Sequence, residues 1–125
     1  MTILLRQVKI ADTKSPFNGL VKDILLQDHQ IISISDKYKG EADQTIELKN
    51  AFVSPGFVDP FVHFCDPGME HRETLTTGAN AAIQGGFTTV FVVPNTTPVI
   101  DNKSQVTYVK QHSQELPIHI LPIGA

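Results

Sequence analysis

At 125 residues, 41% hydrophobic and 18% charged, the chain has the composition of an ordinary soluble globular protein, and its length by itself predicts one domain. A formal charge of −3 excludes the basic footprint of a nucleic-acid binder, no apolar window reaches the length of a membrane span, and Arg6 and Lys9 interrupt the first ten residues where a signal peptide would be continuously apolar. Cys65 is the single cysteine and has no partner for an internal disulfide, so the expected setting is the reducing cytoplasm.

In chain order, Thr2 to Ile10 alternates as a strand does, with Ile3, Leu5, Val8 and Ile10 as its apolar positions. Asp12 to Gly19, with Pro16 and Asn18, is a loop. Leu20 to Gln27 and Gln30 to Ser35 predict a hairpin about a tight Asp28-His29 connection, and Thr45 to Leu48 a last short strand. The expectation for residues 1–52 is a small antiparallel sheet. Nothing in it carries chemistry, and His29, in a polar turn, is read as solvated.

Ser54 to Asp66 is bracketed by Pro55-Gly56 and Pro67-Gly68, the punctuation of a short strand. Alternation puts Asp59, Phe61, His63 and Cys65 on one face and Val58, Pro60, Val62 and Phe64 on the other. One face is wholly apolar and the other holds a carboxylate, an imidazole and a thiol. The expectation is a buried strand whose end contributes to a site.

Leu75, Gly78, Ala79, Ala82 and Ile83 have the spacing of a helix face, and Gly85 ends that helix. The charged run Glu70 to Glu73 reads as a solvated helix start. Thr88 to Val93 is a β-branched run and predicts a buried parallel strand. Asp101 or Asn102 caps a second helix reaching about Gln114 with Val106 and Val109 inward, and Ile118 to Ile123 is a third strand. Strand, helix and strand in one sheet make right-handed βαβ units, whose active sites lie at the strands' carboxyl ends. His112 and His119 have no motif around them.

Three runs in order, Pro55-Gly56-Phe57-Val58-Asp59-Pro60-Phe61-Val62-His63, Pro67-Gly68-Met69-Glu70-His71-Arg72-Glu73 with Gly85-Gly86-Phe87-Thr88-Thr89, and Pro94-Asn95-Thr96-Thr97-Pro98-Val99, resemble dihydroorotases of the amidohydrolase superfamily. The resemblance spans roughly Phe52 to Asp101. It implies an α/β fold: residues 53–125 would be the first strands and helices of a (β/α)8 barrel, and residues 1–52 part of a β-sandwich side domain. A full barrel takes on the order of 250 residues, so the chain is expected to be the N-terminal part of a larger protein, with the remainder of the barrel or a partner chain completing it.

Such enzymes use a metal to activate water and polarise a carbonyl. The resemblance places the family's two strand histidines at Phe61 and His63, its substrate arginine at Cys65, and its substrate-binding asparagine at Asn95. Phe61 cannot coordinate, so zinc is expected to bind weakly or not at all. His63 reads as a remnant ligand or a packed histidine, and Cys65 as a substitute ligand or a small buried hydrophobe. Asn95 is either a ligand-facing amide or an ordinary turn residue. The general base and other catalytic groups are not identifiable in the sequence.

The implied functions are a weakened dihydroorotase acting on carbamoyl aspartate and dihydroorotate in pyrimidine synthesis, a noncatalytic homologue partnering aspartate transcarbamoylase, and a hydantoinase-like amidohydrolase. Membrane and nucleic acid are not expected partners.

Overall fold

The computed structural model describes all of residues 1–125, as mixed α/β with eight strands, two helices and two compact units, Met1–Pro55 and Gly56–Ala125. Neither helix is long and apolar enough to cross a membrane.

In the first unit, β1 (Thr2–Ile10), β2 (Val21–Gln27) and β3 (Gln30–Ser35) form an antiparallel meander, with β4 (Gln44–Glu47) and β5 (Phe52–Val53) both beside β1. The hairpin between β2 and β3 turns on Asp28 and His29, both at positive φ, as a two-residue turn of the type that matches strand twist requires. The expected antiparallel sheet is corrected in one respect, because β4 and β5 run parallel to β1. The polar segment from Asp36 to Asp43 carries the chain from the end of β3 back across to the far edge of β1, so that β4 runs in the same direction as β3 and β1. Val8, Ile10 and Ile24 form the core of this unit, with Phe17, Leu26, Ile34 and Val53 packed on it.

The meander is interrupted once. Leu5 pairs with Ile24 and Val8 with Lys22, so Arg6 and Gln7 lie opposite Asp23 alone. This is a β-bulge, with Gln7 at φ 55°. Asp23 is 4% exposed and supplies what the ladder loses: it accepts from Gln7 N–H at 3.1 Å, Arg6 Nη1 at 2.9 Å and Tyr38 N–H at 3.0 Å.

In the second unit, β6 (Phe57–Val62), β7 (Phe87–Val92) and β8 (His119–Pro122) form a three-stranded parallel sheet with β7 central. The connections are α1 (Leu75–Gln84) and α2 (Lys103–His112). Val90 and Val92 of β7 meet Leu75 and Ala79 of α1, Val109 of α2, and Phe64, Ile100, Ile118 and Ile120 in one core. Gly78 permits this contact, since a Cβ there would stand 2.6 Å from the Phe64 ring.

Thr74 caps α1, accepting from Thr77 N–H while the Thr77 hydroxyl accepts from Thr74 N–H, a reciprocal capping box. Asn102 caps α2 through Ser104 N–H and Gln105 N–H. Glu70 to Glu73 lie before α1 and not in its first turn. Ile83, expected on the inward face, is 38% exposed, because its position falls at the margin of the stripe defined by Leu75, Gly78 and Ala79. After α1 the left-handed residue is Gly86, at φ 82°, and Gly85 stays right-handed.

Candidate functional site

The carboxyl ends of the three parallel strands lead into the loops 63–74, 93–102 and 123–125. Val93 N–H donates to Val62 C=O at 3.0 Å and Ile123 N–H to Val92 C=O at 2.9 Å, extending the ladder beyond the strand ends. Thr97 N–H donates to Pro67 C=O at 3.0 Å and Ala125 N–H to Ile100 C=O at 2.9 Å. The backbone therefore laces the loops together above the sheet.

The organising strand is shorter than expected and is not buried. β6 ends at Val62, and Phe57, Val58 and Phe61 are 55%, 57% and 67% exposed, because β6 is an edge strand of this sheet. Its alternation also breaks: Asp59 pairs with Val90 and Val62 with Val92, three residues advancing on β6 for two on β7. Pro60 offers no N–H to the ladder, and Phe61 N–H donates to the Asp59 carboxylate at 3.0 Å instead of to a strand. Strict alternation from Asp59 to Cys65 does not survive this bulge and the end of the strand.

His63 follows directly after β6 and is exposed, which corrects its reading as a packed core histidine. Its Nδ1 lies 3.0 Å from Asn95 Nδ2. Two residues singled out from different motifs, 32 positions apart, thus meet at the ends of β6 and β7. The Phe61 ring stands edge-on to the imidazole, with centroids 5.5 Å apart and planes at 81°, an arrangement aromatic pairs favour.

Cys65 is buried and takes φ 61°, an uncommon left-handed conformation for a residue with a Cβ. Its Sγ is 3.8 Å from the carbonyl oxygen of His63, so the thiol donates weakly to backbone and does not join the imidazole. No group of three or more His, Cys, Asp or Glu side chains gathers to hold a metal. The two donors offered for zinc, His63 and Cys65, do not converge on one point: His63 Nδ1 faces the Asn95 amide, the thiol faces the His63 carbonyl, and a benzyl group stands beside the imidazole. A stable zinc centre needs three or four converging ligands.

Asp66 is the functional-loop residue that sequence reasoning missed. It is 8% exposed; Leu75 N–H at the start of α1 donates to Oδ2 at 3.1 Å, and the Tyr108 hydroxyl of α2 donates to Oδ1 at 2.9 Å. One carboxylate thereby anchors both helices to the loop after β6. Burial, and then the bond to Asp66, push the Tyr108 phenol above its ordinary pKa. A carboxylate beside a Pro-Gly turn was the available signal, but its partners lie 9 and 42 residues away.

Gly68 lets the loops approach, since at φ 96° a Cβ would stand 1.8 Å from Thr97 C=O. Its N–H donates to Glu70 at 2.6 Å, which holds that exposed carboxyl below its usual pKa. Beside the edge strand a groove of about 430 Å³ is lined by Asp59, Phe61, His63, Glu73 and the small residues Gly78 and Ala82 of α1. His112 and His119 are both exposed, and His112 stacks on Tyr108 with centroids 4.0 Å apart.

A family model described as Dihydro-orotase-like matches residues 50–125. A curated dihydroorotase from Endomicrobium trichonymphae is 38% identical over 125 residues, covering 99% of this chain and 29% of its own length. That of Chlorobaculum tepidum is 48% identical over 83 residues, covering 66% of this chain and 19% of its own. The chain spans less than a third of the length of these relatives. Among solved structures, the L-hydantoinase (dihydropyrimidinase) of Arthrobacter aurescens superposes with a TM-score of 0.83 at 26% identity, over 98% of this chain and 27% of that one. A dihydroorotase crystal structure superposes with a TM-score of 0.72 at 21% identity, over 98% of this chain and 31% of the other, a likeness of fold.

Proposed function

Because the chain belongs to the dihydro-orotase-like family, we propose that it serves the dihydroorotase reaction of pyrimidine biosynthesis with weakened catalysis. In that reaction the carbamoyl nitrogen of carbamoyl aspartate joins the side-chain carboxyl carbon and water leaves; ring opening reverses both changes. The family match over residues 50–125 carries this reading. We take residues 1–52 as a side-domain segment and 53–125 as the first strands and helices of a (β/α)8 barrel, whose remaining groups supply the general base.

In this reading Asn95 presents an amide donor and acceptor to the ligand, beside His63. The weakening follows from two neighbouring positions. Phe61 brings no lone pair where a metal would be held, and Cys65 brings no forked cation where a substrate carboxylate would be gripped. Losing an ion site and a substrate grip together lowers the rate without creating affinity for a new substrate.

Turnover of dihydroorotate with added zinc is the test. The expected rate lies far below the roughly 10 s⁻¹ typical of enzymes, and a rate in that ordinary range overturns the weakened reading. The superposition on the Arthrobacter hydantoinase supports a second reading, a cyclic amide such as a hydantoin as substrate, which turnover of hydantoin but not of dihydroorotate would favour. Co-elution with aspartate transcarbamoylase without turnover of either would favour a noncatalytic partner role.

A further inference from the structure

An amide nitrogen only donates hydrogen bonds, because its lone pair is delocalised into the carbonyl, so a ring nitrogen 3.0 Å from Asn95 Nδ2 must accept. We propose that Asn95 holds the neutral imidazole of His63 with its proton on Nε2, and that His63 in return fixes the Asn95 amide, making His63 a positioning residue and not a metal ligand.

Three contacts point the same way. The Phe61 ring stands edge-on to the imidazole at 5.5 Å and restricts its rotation. Cys65 Sγ is turned to the His63 carbonyl and leaves the ring alone. The amide that engages Nδ1 comes from the loop after the neighbouring strand, so the contact ties the carboxyl ends of β6 and β7 together.

The chemistry that follows is specific. With Nδ1 accepting and Nε2 protonated, neither ring nitrogen has a free lone pair, and coordination at Nε2 would require moving its proton to Nδ1 and breaking the bond to Asn95. The paired residues therefore offer an N–H donor to an oxygen acceptor, and not a lone pair to a divalent cation. The part of this proposal that concerns ligand positioning rests on Asn95 as the ligand-facing amide; the proton assignment stands on geometry alone.

Long-range proton-nitrogen NMR of the 15N-labelled chain, well above the ordinary histidine pKa of about 6.5, reads the tautomer directly. The His63 signals are assigned by their loss in His63→Gln. His112, whose Nδ1 faces the Tyr108 carbonyl at 2.8 Å, must carry its proton on Nδ1 and serves as an internal control of opposite sign. The expected result is the Nε2–H form for His63, a mixture of both forms in Asn95→Ala, and the Nδ1–H form in Asn95→Asp, because a carboxylate only accepts. One equivalent of zinc chloride should leave the His63 ring nitrogens unmoved in the unsubstituted chain.

An Nδ1–H form or a mixture in the unsubstituted chain, or a stoichiometric shift of His63 with zinc, overturns the proposal. Neither readout involves turnover. An Nε2–H histidine in a protein that turns over dihydroorotate at an ordinary rate would retain the clamp and remove the weakened-enzyme reading.

Discussion

Each of the two units buries one aspartate, and the two carboxylates solve different problems. Asp23 lies across from a bulge in an antiparallel ladder and accepts from two backbone N–H groups and a guanidinium, repairing the hydrogen bonding of the sheet that contains it. Asp66 lies in a loop after a parallel strand and accepts from one backbone N–H and one phenol, aligning two helices beneath the loops that hold His63 and Asn95. In the meander the buried carboxylate restores hydrogen bonds at a bulge; in the second unit it ties two helices to one loop. The first is compensated by a charge, the second only by neutral donors.

The largest expected effect separates the units most cleanly. Gly68→Ala drives a Cβ into Thr97 C=O at a positive φ and should lower the urea stability of the second unit by more than about 3 kcal/mol, leaving the backbone amide spectrum of residues 1–55 unchanged. A loss under about 1 kcal/mol would show that the loops separate freely. Asp23→Ala should cost about 3 kcal/mol, because it leaves Gln7 N–H and Tyr38 N–H without their acceptor while Arg6 keeps Glu47 at 3.7 Å, and its spectral changes should stay within the first unit.

Asp66→Ala should cost about 2 kcal/mol and Tyr108→Phe about 1 kcal/mol. In a double-mutant cycle the Tyr108 change should lose its effect once Asp66 is gone; simple additivity would remove Asp66 as the tie between the helices. Thr74→Ala, which deletes the α1 cap, should cost about 1 kcal/mol, and a neutral result would mean that packing alone defines the helix start.

The smallest effects are pH-dependent and of opposite sign in the two units. Asp43 is held below its usual pKa of 3.8 mainly by Thr2 N–H, with the Thr2 hydroxyl second. Its contribution is present above that value and disappears as pH falls through the lowered folded value. The raised Tyr108 pKa works in reverse: its contribution is complete below the ordinary value of 10.0 and disappears as pH rises through the folded one. The protection of Thr2 N–H, its exchange rate compared with the intrinsic rate at the same pH, should therefore fall in acid, and that of Leu75 N–H should fall in strong base.

Much of the fold was legible. The hairpin at Asp28-His29, the helix after Thr74, the strand through Val90 and Val92 and the strand before Ile123 each follow from signals within a few residues. Of the site, Asn95 and His63 were both marked by their motifs, but their contact was not. Alternation predicts a longer, buried β6, and it fails at Pro60, where the ladder slips, and again at Cys65, where φ turns positive.

Periodicity, caps and turn residues act between near neighbours, so the sequence by itself determined where the elements lie and which family motifs they carry. Which way β4 runs, which backbone groups Asp23 and Asp66 satisfy, and that His63 meets Asn95 were decided only by tertiary structure. The physical reason is that these bonds join groups separated by 9 to 42 residues, and a hydrogen bond exists only once donor and acceptor have been brought within about 3 Å of each other.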